Sequence, residues 1–178
     1  MRGPLVINML QTTGMIDSID LQHSRVFLRP GDWLVGRGLY EVSTLLGSCV
    51  SVVMWSPRLQ MGGMCHCLLP RRPQFVNRLA IGRTGHYVDE ALDWLGNSLA
   101  HSGVSLGELQ ISLAGGGSFA DSGIGDANVR AAQDWFAHHG LQPLHCDTGG
   151  NLVRKLSWNL GNGALQIATG GRMDAEGA

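Results

Sequence analysis

The chain has 178 residues, of which 44% are hydrophobic and 15% are charged, and its formal net charge is −1. This length and composition predict one globular domain with a well-formed core. The 13 Lys and Arg residues are scattered apart from Arg71 and Arg72, so there is no basic stripe. We therefore expect no nucleic-acid partner.

The chain has no apolar run that approaches the roughly 18 residues of a membrane span. Pro4 and Asn8 interrupt the first ten residues, where a signal peptide would have an apolar core. We expect no membrane insertion and a cytoplasmic location. In such a chain the four cysteines are interpreted as reduced thiols. They are Cys49, Cys65, Cys67 and Cys146.

The first 23 residues show no firm hydrophobic period, so residues 1–23 are predicted to form a flexible or loosely docked extension. Short apolar pieces at 26–28 and 33–35, separated by Pro and Gly, predict brief strands that lead to Ser43. The folded domain is predicted over residues 24–170, and a tail of small residues follows at 171–178.

A β-hairpin is the clearest local prediction. Residues 49–55 are apolar and β-branched, residues 56–59 have turn chemistry, and residues 61–68 resume an apolar run. A turn centred between Pro57 and Arg58 places Cys49 opposite His66, with Cβ atoms roughly 4.5–5.5 Å apart. A slip of one residue would instead bring Cys49 opposite Cys67 and turn His66 to the other face.

Two helices are predicted in the second half of the chain. Apolar residues recur at helical spacing from Val88 to Leu99, and Gly103 provides a stop. A strand at 109–114 and a glycine turn precede a second helix, which Asp126 is predicted to cap and Gly140 to end. Further strands are predicted at 141–146 and 164–168. Together these elements predict an α/β domain with several hairpins.

Cys49 and His66, which are 17 residues apart, form a candidate nucleophile and base. A neighbouring imidazole can lower the pKa of a thiol and so produce the reactive thiolate at neutral pH. Cys49 follows Gly47 and Ser48 at a turn, where backbone N–H groups near Ser48 could stabilise an oxyanion. A third group usually orients the imidazole, and the hydroxyls of Ser43 and Thr44 are both candidates.

Cys65, His66 and Cys67 also raise the question of a metal site or a thiol-based redox module that includes Cys146. On a strand, Cys65 and Cys67 share one face and His66 points from the other, so the three cannot converge on one ion. We predict packing roles for Cys65 and Cys67 and no metal or cofactor. A disulfide between Cys49 and Cys67 is a lesser alternative.

The motifs resemble those of one protein family, the CheD family of chemoreceptor glutamine deamidases, from about residue 24 to residue 170. The motifs are T-L-L-G-S-C-V-S-V-V-M-W from Thr44, G-G-M-C-H-C-L-L-P, A-G-G-G-S-F, I-G-D-A-N-V and D-T-G-G-N-L-V-R. The resemblance implies that Cys49 and His66 are catalytic. The family's catalytic Thr lies six residues before the Cys, where this chain has Ser43, and Thr44 follows directly.

The resemblance also implies a fold and an activity. The fold is a three-layer α/β/α sandwich-like single domain with two main helices. The activity is hydrolysis of selected glutamine side chains of methyl-accepting chemotaxis receptors to glutamate through a Cys thioester, with release of ammonia. Methylesterase activity and a CheC-type phosphatase partner are further implications. A non-enzymatic adaptor that binds such a phosphatase is the alternative function.

Overall fold

The computed structural model describes residues 11–12, 19–20, 24–73, 84–118 and 123–170. These residues form eleven strands in two sheets, two α-helices and two short 3₁₀ helices. The strands are β1 Gln11–Thr12, β2 Ile19–Asp20, β3 Arg25–Phe27, β4 Trp33–Arg37, β5 Glu41–Leu46, β6 Val50–Ser56, β7 Met61–Cys65, β8 Gln110–Gly115, β9 His145–Thr148, β10 Val153–Asn159 and β11 Leu165–Gly170. The helices are α1 Val88–His101 and α2 Ile124–His138, and the 3₁₀ helices are Thr84–His86 and Leu106–Glu108.

The six-stranded sheet has the order β1-β4-β7-β6-β8-β9, and the five-stranded sheet has the order β11-β10-β5-β3-β2. Most neighbouring strands are antiparallel, but β8 pairs with β9, and β3 with β5, in parallel. The chain passes from the five-stranded to the six-stranded sheet between β5 and β6. This crossing contains Cys49.

Two apolar cores separate three layers. On one side of the six-stranded sheet, buried residues such as Val52 and Cys65 pack against Leu92 and Phe136 of the two helices. On its other side, residues such as Val53 pack against the five-stranded sheet. The α/β class with two main helices is confirmed. The described layers are helices, sheet and sheet, so a second sheet stands where the implied α/β/α order has helices.

The predicted helices are present with small differences at their ends. Apolar residues of α1 at helical spacing, including Leu92, Leu95 and Leu99, are fully buried, which explains why this segment is an amphipathic helix. The predicted capping role of Asp126 is wrong. Gly123 precedes the helix in a left-handed conformation, and Asp126 lies in the first turn, where its carboxylate accepts a hydrogen bond from Ser118.

The hairpin has a different register from the predicted one. The structure pairs Val53 with Met64 and Val50 with Cys67, so the residue opposite Cys49 is Leu68 rather than His66. This is a shift of two residues, and a shift of two leaves every side chain on its predicted face. Cys49 and His66 therefore still share one face, although they are diagonal neighbours.

Parts of the predicted termini can be compared with the structure. In the predicted extension, β1 pairs with β4 and β2 pairs with β3. Residues 1–10, 13–18, 21–23 and the predicted tail at 171–178 lie outside the described residues. Within the described ranges, neither helix is long and apolar enough to cross a membrane. The domain boundaries at 24 and 170 stay a prediction.

Candidate active site

The site lies where the chain crosses between the sheets, at Gly47, Ser48 and Cys49. The glycine turn, residues 115–117 at the end of β8, holds this corner. The N–H of Gly117 donates to the Gly47 carbonyl and that of Gly116 to the Cys49 carbonyl, both at 2.8 Å. Among the described residues, no backbone carbonyl accepts a hydrogen bond from the N–H of Ser48 or of Cys49, and the Cys49 N–H interacts with the residue's own sulfur. Neither N–H is therefore used in backbone pairing at this corner.

Two glycines allow this close approach. Gly115 has a φ of 106°, and a Cβ atom there would overlap the carbonyl oxygen of Cys49. Gly125, in the first turn of α2, lies against the carbonyl groups of Gly116 and Gly117 in the same way. The start of α2, the glycine turn and the backbone of Cys49 thus touch directly, with no side chain between them.

His66 follows β7 and lies with its imidazole between the two sheets, 3% exposed. Its backbone is held on the β4 side, where its N–H donates to the Asp32 carbonyl at 2.9 Å and its carbonyl accepts from the Gly31 N–H at 2.8 Å. The ring nitrogen Nδ1 lies 2.7 Å from the hydroxyl of Thr44 and 3.4 Å from the Leu28 carbonyl. Nε2 has no hydrogen-bond partner among the described residues.

These contacts determine the tautomer of His66. The Thr44 hydroxyl donates its single proton to the Leu28 carbonyl at 2.8 Å, so towards His66 it is an acceptor. Nδ1 must therefore carry the proton, and its second neighbour, the Leu28 carbonyl, can also only accept. Nε2 is then the unprotonated nitrogen. In the neutral imidazole the basic lone pair is therefore on Nε2, opposite the Thr44 contact.

The structure brings Thr44, and not Ser43, to the imidazole. Thr44 is fully buried on the face of β5 that meets the six-stranded sheet. Ser43 points to the other face, where it donates to the Val26 carbonyl at 3.5 Å and lines a surface groove with Glu41 and Lys155. The expectation that Ser43 orients His66 is wrong. Neighbouring residues of a strand face opposite sides, and it is Thr44 that faces the imidazole.

The protonation states also differ from the expected thiolate. Burial raises the pKa of the Cys49 thiol above its usual value, and only the residue's own N–H opposes this. Burial lowers the pKa of His66 to about 4, although the Leu28 carbonyl and Asp32 favour its charged form. At neutral pH the pair consists of a neutral thiol and a neutral imidazole. Such a pair needs the thiol proton to be transferred as the sulfur attacks.

The other cysteines lie away from this pair. Cys65 and Cys67 are fully buried in the core under the helices, on the face opposite His66, and Cys146 is exposed on β9. All four cysteines, including Cys49, are unpaired. Within the described residues, no group of three or more Cys, His, Asp or Glu side chains is placed to hold a metal ion.

The sequence interpretation missed Asn128 of α2. This fully buried side chain donates from Nδ2 to the Ser48 carbonyl at 3.0 Å and to the Leu68 carbonyl at 2.9 Å. It therefore joins the segment before Cys49 to the segment after His66. The available signal was a polar residue three positions after Gly125, which places both on the helix face that packs against the glycine turn.

Comparison with known proteins supports the resemblance. A family model described as "CheD chemotactic sensory transduction" matches residues 68–169, which is more than half of the chain. The "Probable chemoreceptor glutamine deamidase CheD" of Maridesulfovibrio salexigens is 42% identical over 143 residues, which cover 74% of this chain and 84% of the relative. The "Probable chemoreceptor glutamine deamidase CheD 1" of Chromobacterium violaceum is 36% identical over 149 residues, which cover 80% of this chain and 76% of the relative.

A third relative is the "Chemoreceptor glutamine deamidase CheD" of Thermotoga maritima. It is 33% identical over 141 residues, which cover 77% of this chain and 87% of the relative. The segment of this chain that matches the family model begins at residue 68, just after His66. The matches to the relatives are longer, for example 143 residues. Taken with the fold and the geometry around Cys49, these similarities show that the chain belongs to the CheD family.

Proposed function

We propose that this protein is a chemoreceptor glutamine deamidase that uses Cys49 as nucleophile and His66 as acid and base. The observation that carries the proposal is the free Nε2 of a neutral His66, held on the same face as Cys49 by the Thr44 hydroxyl. We propose that Nε2 serves as the base for the thiol during the reaction; in this structure the two groups are not hydrogen-bonded. The relatives are named for the activity, and the site has the groups that it requires.

The first step is attack on the glutamine side chain. Nε2 of His66 accepts the thiol proton as the Cys49 sulfur bonds to the carboxamide carbon, and the former carbonyl oxygen becomes an oxyanion. The N–H groups of Cys49 and Ser48 are proposed to donate to that oxyanion. Because both groups start neutral, the charges arise together on the imidazole and the oxyanion.

The transient imidazolium is stabilised by its neighbours. Its Nδ1 proton stays between the Thr44 hydroxyl and the Leu28 carbonyl, and Asp32 favours the charged form. Nε2 then donates its proton to the departing nitrogen, so that the carbon–nitrogen bond breaks and ammonia leaves. The product of this half-reaction is a thioester between the substrate and Cys49.

The second half-reaction releases glutamate. Nε2 of His66, which is again unprotonated, takes a proton from water as the water oxygen attacks the thioester carbon. Collapse of the second oxyanion breaks the carbon–sulfur bond, and the proton on Nε2 returns to the sulfur. The same groups therefore serve both steps. Hydrolysis of a glutamate methyl ester would follow the same route with methanol as leaving group, and methylesterase activity is included in the proposal.

We further propose cytoplasmic action on the receptors and a CheC-type phosphatase as a regulatory partner. Four unpaired cysteines suit a reducing compartment. The phosphatase partner rests on family resemblance alone.

The decisive experiment is mass spectrometry of receptor fragments incubated with the wild-type protein and with Cys49→Ala. Deamidation adds about 1 Da per glutamine, and we expect it with the wild-type protein alone. His66→Ala should reduce the rate by about 10²-fold or more, as for an acid and base group. Cys146→Ala is the matched control, because that thiol is exposed on β9. Full activity of Cys49→Ala would contradict the proposal and favour the adaptor function.

A further inference from the structure

The three consecutive carbonyl groups at the corner are all held by hydrogen bonds, but not by the same kind of donor. Backbone N–H groups of the glycine turn hold the carbonyls of Gly47 and Cys49. The carbonyl of Ser48, between them, is held by the side chain of Asn128 at 3.0 Å. The orientation of the peptide group between Ser48 and Cys49 therefore depends on one side chain.

The orientation of this peptide group determines where the N–H of Cys49 points. In a trans peptide the carbonyl of one residue and the N–H of the next point in opposite directions, and the described chain has no cis peptide bond. Because the Ser48 carbonyl points at Asn128, the N–H of Cys49 points away from α2. No backbone carbonyl of the described residues accepts its hydrogen bond, and it lies beside the Cys49 sulfur. Reversal of this peptide would direct a carbonyl oxygen to the position of the donor.

Asn128 is itself firmly placed. It is fully buried, and its second Nδ2 hydrogen bond goes to the Leu68 carbonyl at 2.9 Å. Two carbonyl oxygens face this amide, so the nitrogen must be on their side, and Oδ1 has no partner in the described part of the chain. One turn earlier, Gly125 lies directly on the glycine turn, which sets the distance between α2 and the corner.

We propose that Asn128 is a positioning residue that holds the peptide between Ser48 and Cys49 so that the Cys49 N–H can donate to the oxyanion. The inference rests on the proposed deamidase function. Asn128 touches neither the substrate nor the sulfur in this role. It acts through the Ser48 carbonyl, and its bond to Leu68 ties the same corner to the segment that carries His66.

The test compares Asn128→Ala with the wild-type protein in two reactions. Deamidation of a receptor fragment builds an oxyanion, so kcat should fall by about 10²-fold or more, the effect of losing one oxyanion donor, with little change in KM. Alkylation of Cys49 by iodoacetamide builds no oxyanion, so its rate should stay within about 2-fold of the wild-type rate. The Cys146→Ala background restricts alkylation among the accessible thiols to Cys49.

Two further variants separate positioning from a general loss of structure. Asn128→Leu has nearly the same size and shape but no donor for the Ser48 carbonyl, so it should show the same selective loss of kcat even if Asn128→Ala does not fold. Phe136→Leu, a buried substitution on the same helix, should lower the melting temperature without changing kcat. Unchanged kcat in both Asn128 variants, or a parallel fall in deamidation and alkylation, would overturn the inference.

An activity-independent measurement distinguishes this inference from the proposed function. In a crystal structure of Asn128→Ala or Asn128→Leu, we expect the peptide between Ser48 and Cys49 to be reversed or to adopt two orientations. A single wild-type orientation in both variants would overturn the inference whatever the activity. An inactive wild-type protein would contradict the deamidase function alone, since the peptide orientation is measured separately.

Discussion

The Thr44 hydroxyl and Nδ1 of His66 are 2.7 Å apart, although Thr44 lies on β5 of the five-stranded sheet and His66 directly follows β7 of the six-stranded sheet. The contact joins the inner face of the five-stranded sheet to that of the six-stranded sheet, close to the crossing that contains Cys49. It holds the imidazole as the tautomer whose free nitrogen is Nε2. The site is thus assembled by the packing of two sheets and not within one hairpin.

The first prediction concerns the two neighbouring hydroxyls. Thr44→Val keeps the shape of the side chain but removes the acceptor for Nδ1, so kcat should fall by about 10- to 100-fold. This is less than the roughly 10⁴-fold loss on removing a charged orienting carboxylate, because a hydroxyl is neutral. Thr44→Ser should retain most activity. Ser43→Ala, on the opposite face, is the matched control and should resemble the wild-type protein. The measurement is the rate of receptor deamidation by each variant. A large loss in Ser43→Ala alone would show that Ser43, and not Thr44, orients His66.

The second prediction concerns the pH dependence of catalysis. The reactive state has a neutral His66, whose pKa is lowered to about 4, so the rate should decline only as the pH approaches that value. The pKa of the Cys49 thiol is raised, so thiolate formation should not increase the rate near neutrality. We expect kcat/KM for a receptor fragment to be nearly constant between about pH 5 and 8. An inflection at the ordinary histidine pKa of 6.5 would contradict the buried, neutral base.

The third prediction concerns stability in acid. The pKa of His66 is lower in the folded protein than its ordinary value of 6.5, so between pH 6.5 and 4 the unfolded chain binds a proton that the folded protein does not. The free energy of unfolding should therefore fall by about 3 kcal/mol across this window because of His66, with no further loss below it. Urea denaturation at several pH values should show a shallower pH dependence for His66→Gln. Equal slopes for both proteins would contradict the burial of a neutral imidazole.

The fourth prediction concerns the glycine turn. Gly115→Ala would place a methyl group against the Cys49 carbonyl oxygen, so the variant should lose both stability and deamidase activity. Gly103 is the matched control, because its φ of 83° is also positive but nothing lies within 4 Å of its Cβ position. Both variants should lose about 1–2 kcal/mol from backbone strain, measured by denaturation. Gly115→Ala alone should lose more stability, together with activity. Equal effects of the two substitutions would show that contact with Cys49 is unimportant.

Some strands could not be predicted from local pattern. β10 was missed because its inner face begins with Arg154, which breaks the apolar alternation that continues through Leu156 and Trp158. Arg154 is only 2% exposed and donates to the Asp147 carboxylate of β9 at 3.0 Å. A buried arginine is acceptable only with such a partner. The partner lies in the other sheet, and it is known only from the fold.

The sequence by itself determined which side chains share a face. Alternation along the hairpin placed Cys49 and His66 together and turned Cys65 and Cys67 away, and this survived a two-residue error in register because side chains repeat every two residues. These are local properties of a strand, so they can be inferred from the order of residues.

Only the tertiary structure decided what those faces meet. Thr44 reaches His66 because β5 and β7 lie in two different sheets that pack together, and Asn128 reaches the peptide before Cys49 because α2 rests on a glycine turn. Burial by these layers, rather than residue type, keeps the thiol and the imidazole neutral. Contacts between distant segments and the loss of water around them arise from packing, which no local pattern in the sequence specifies.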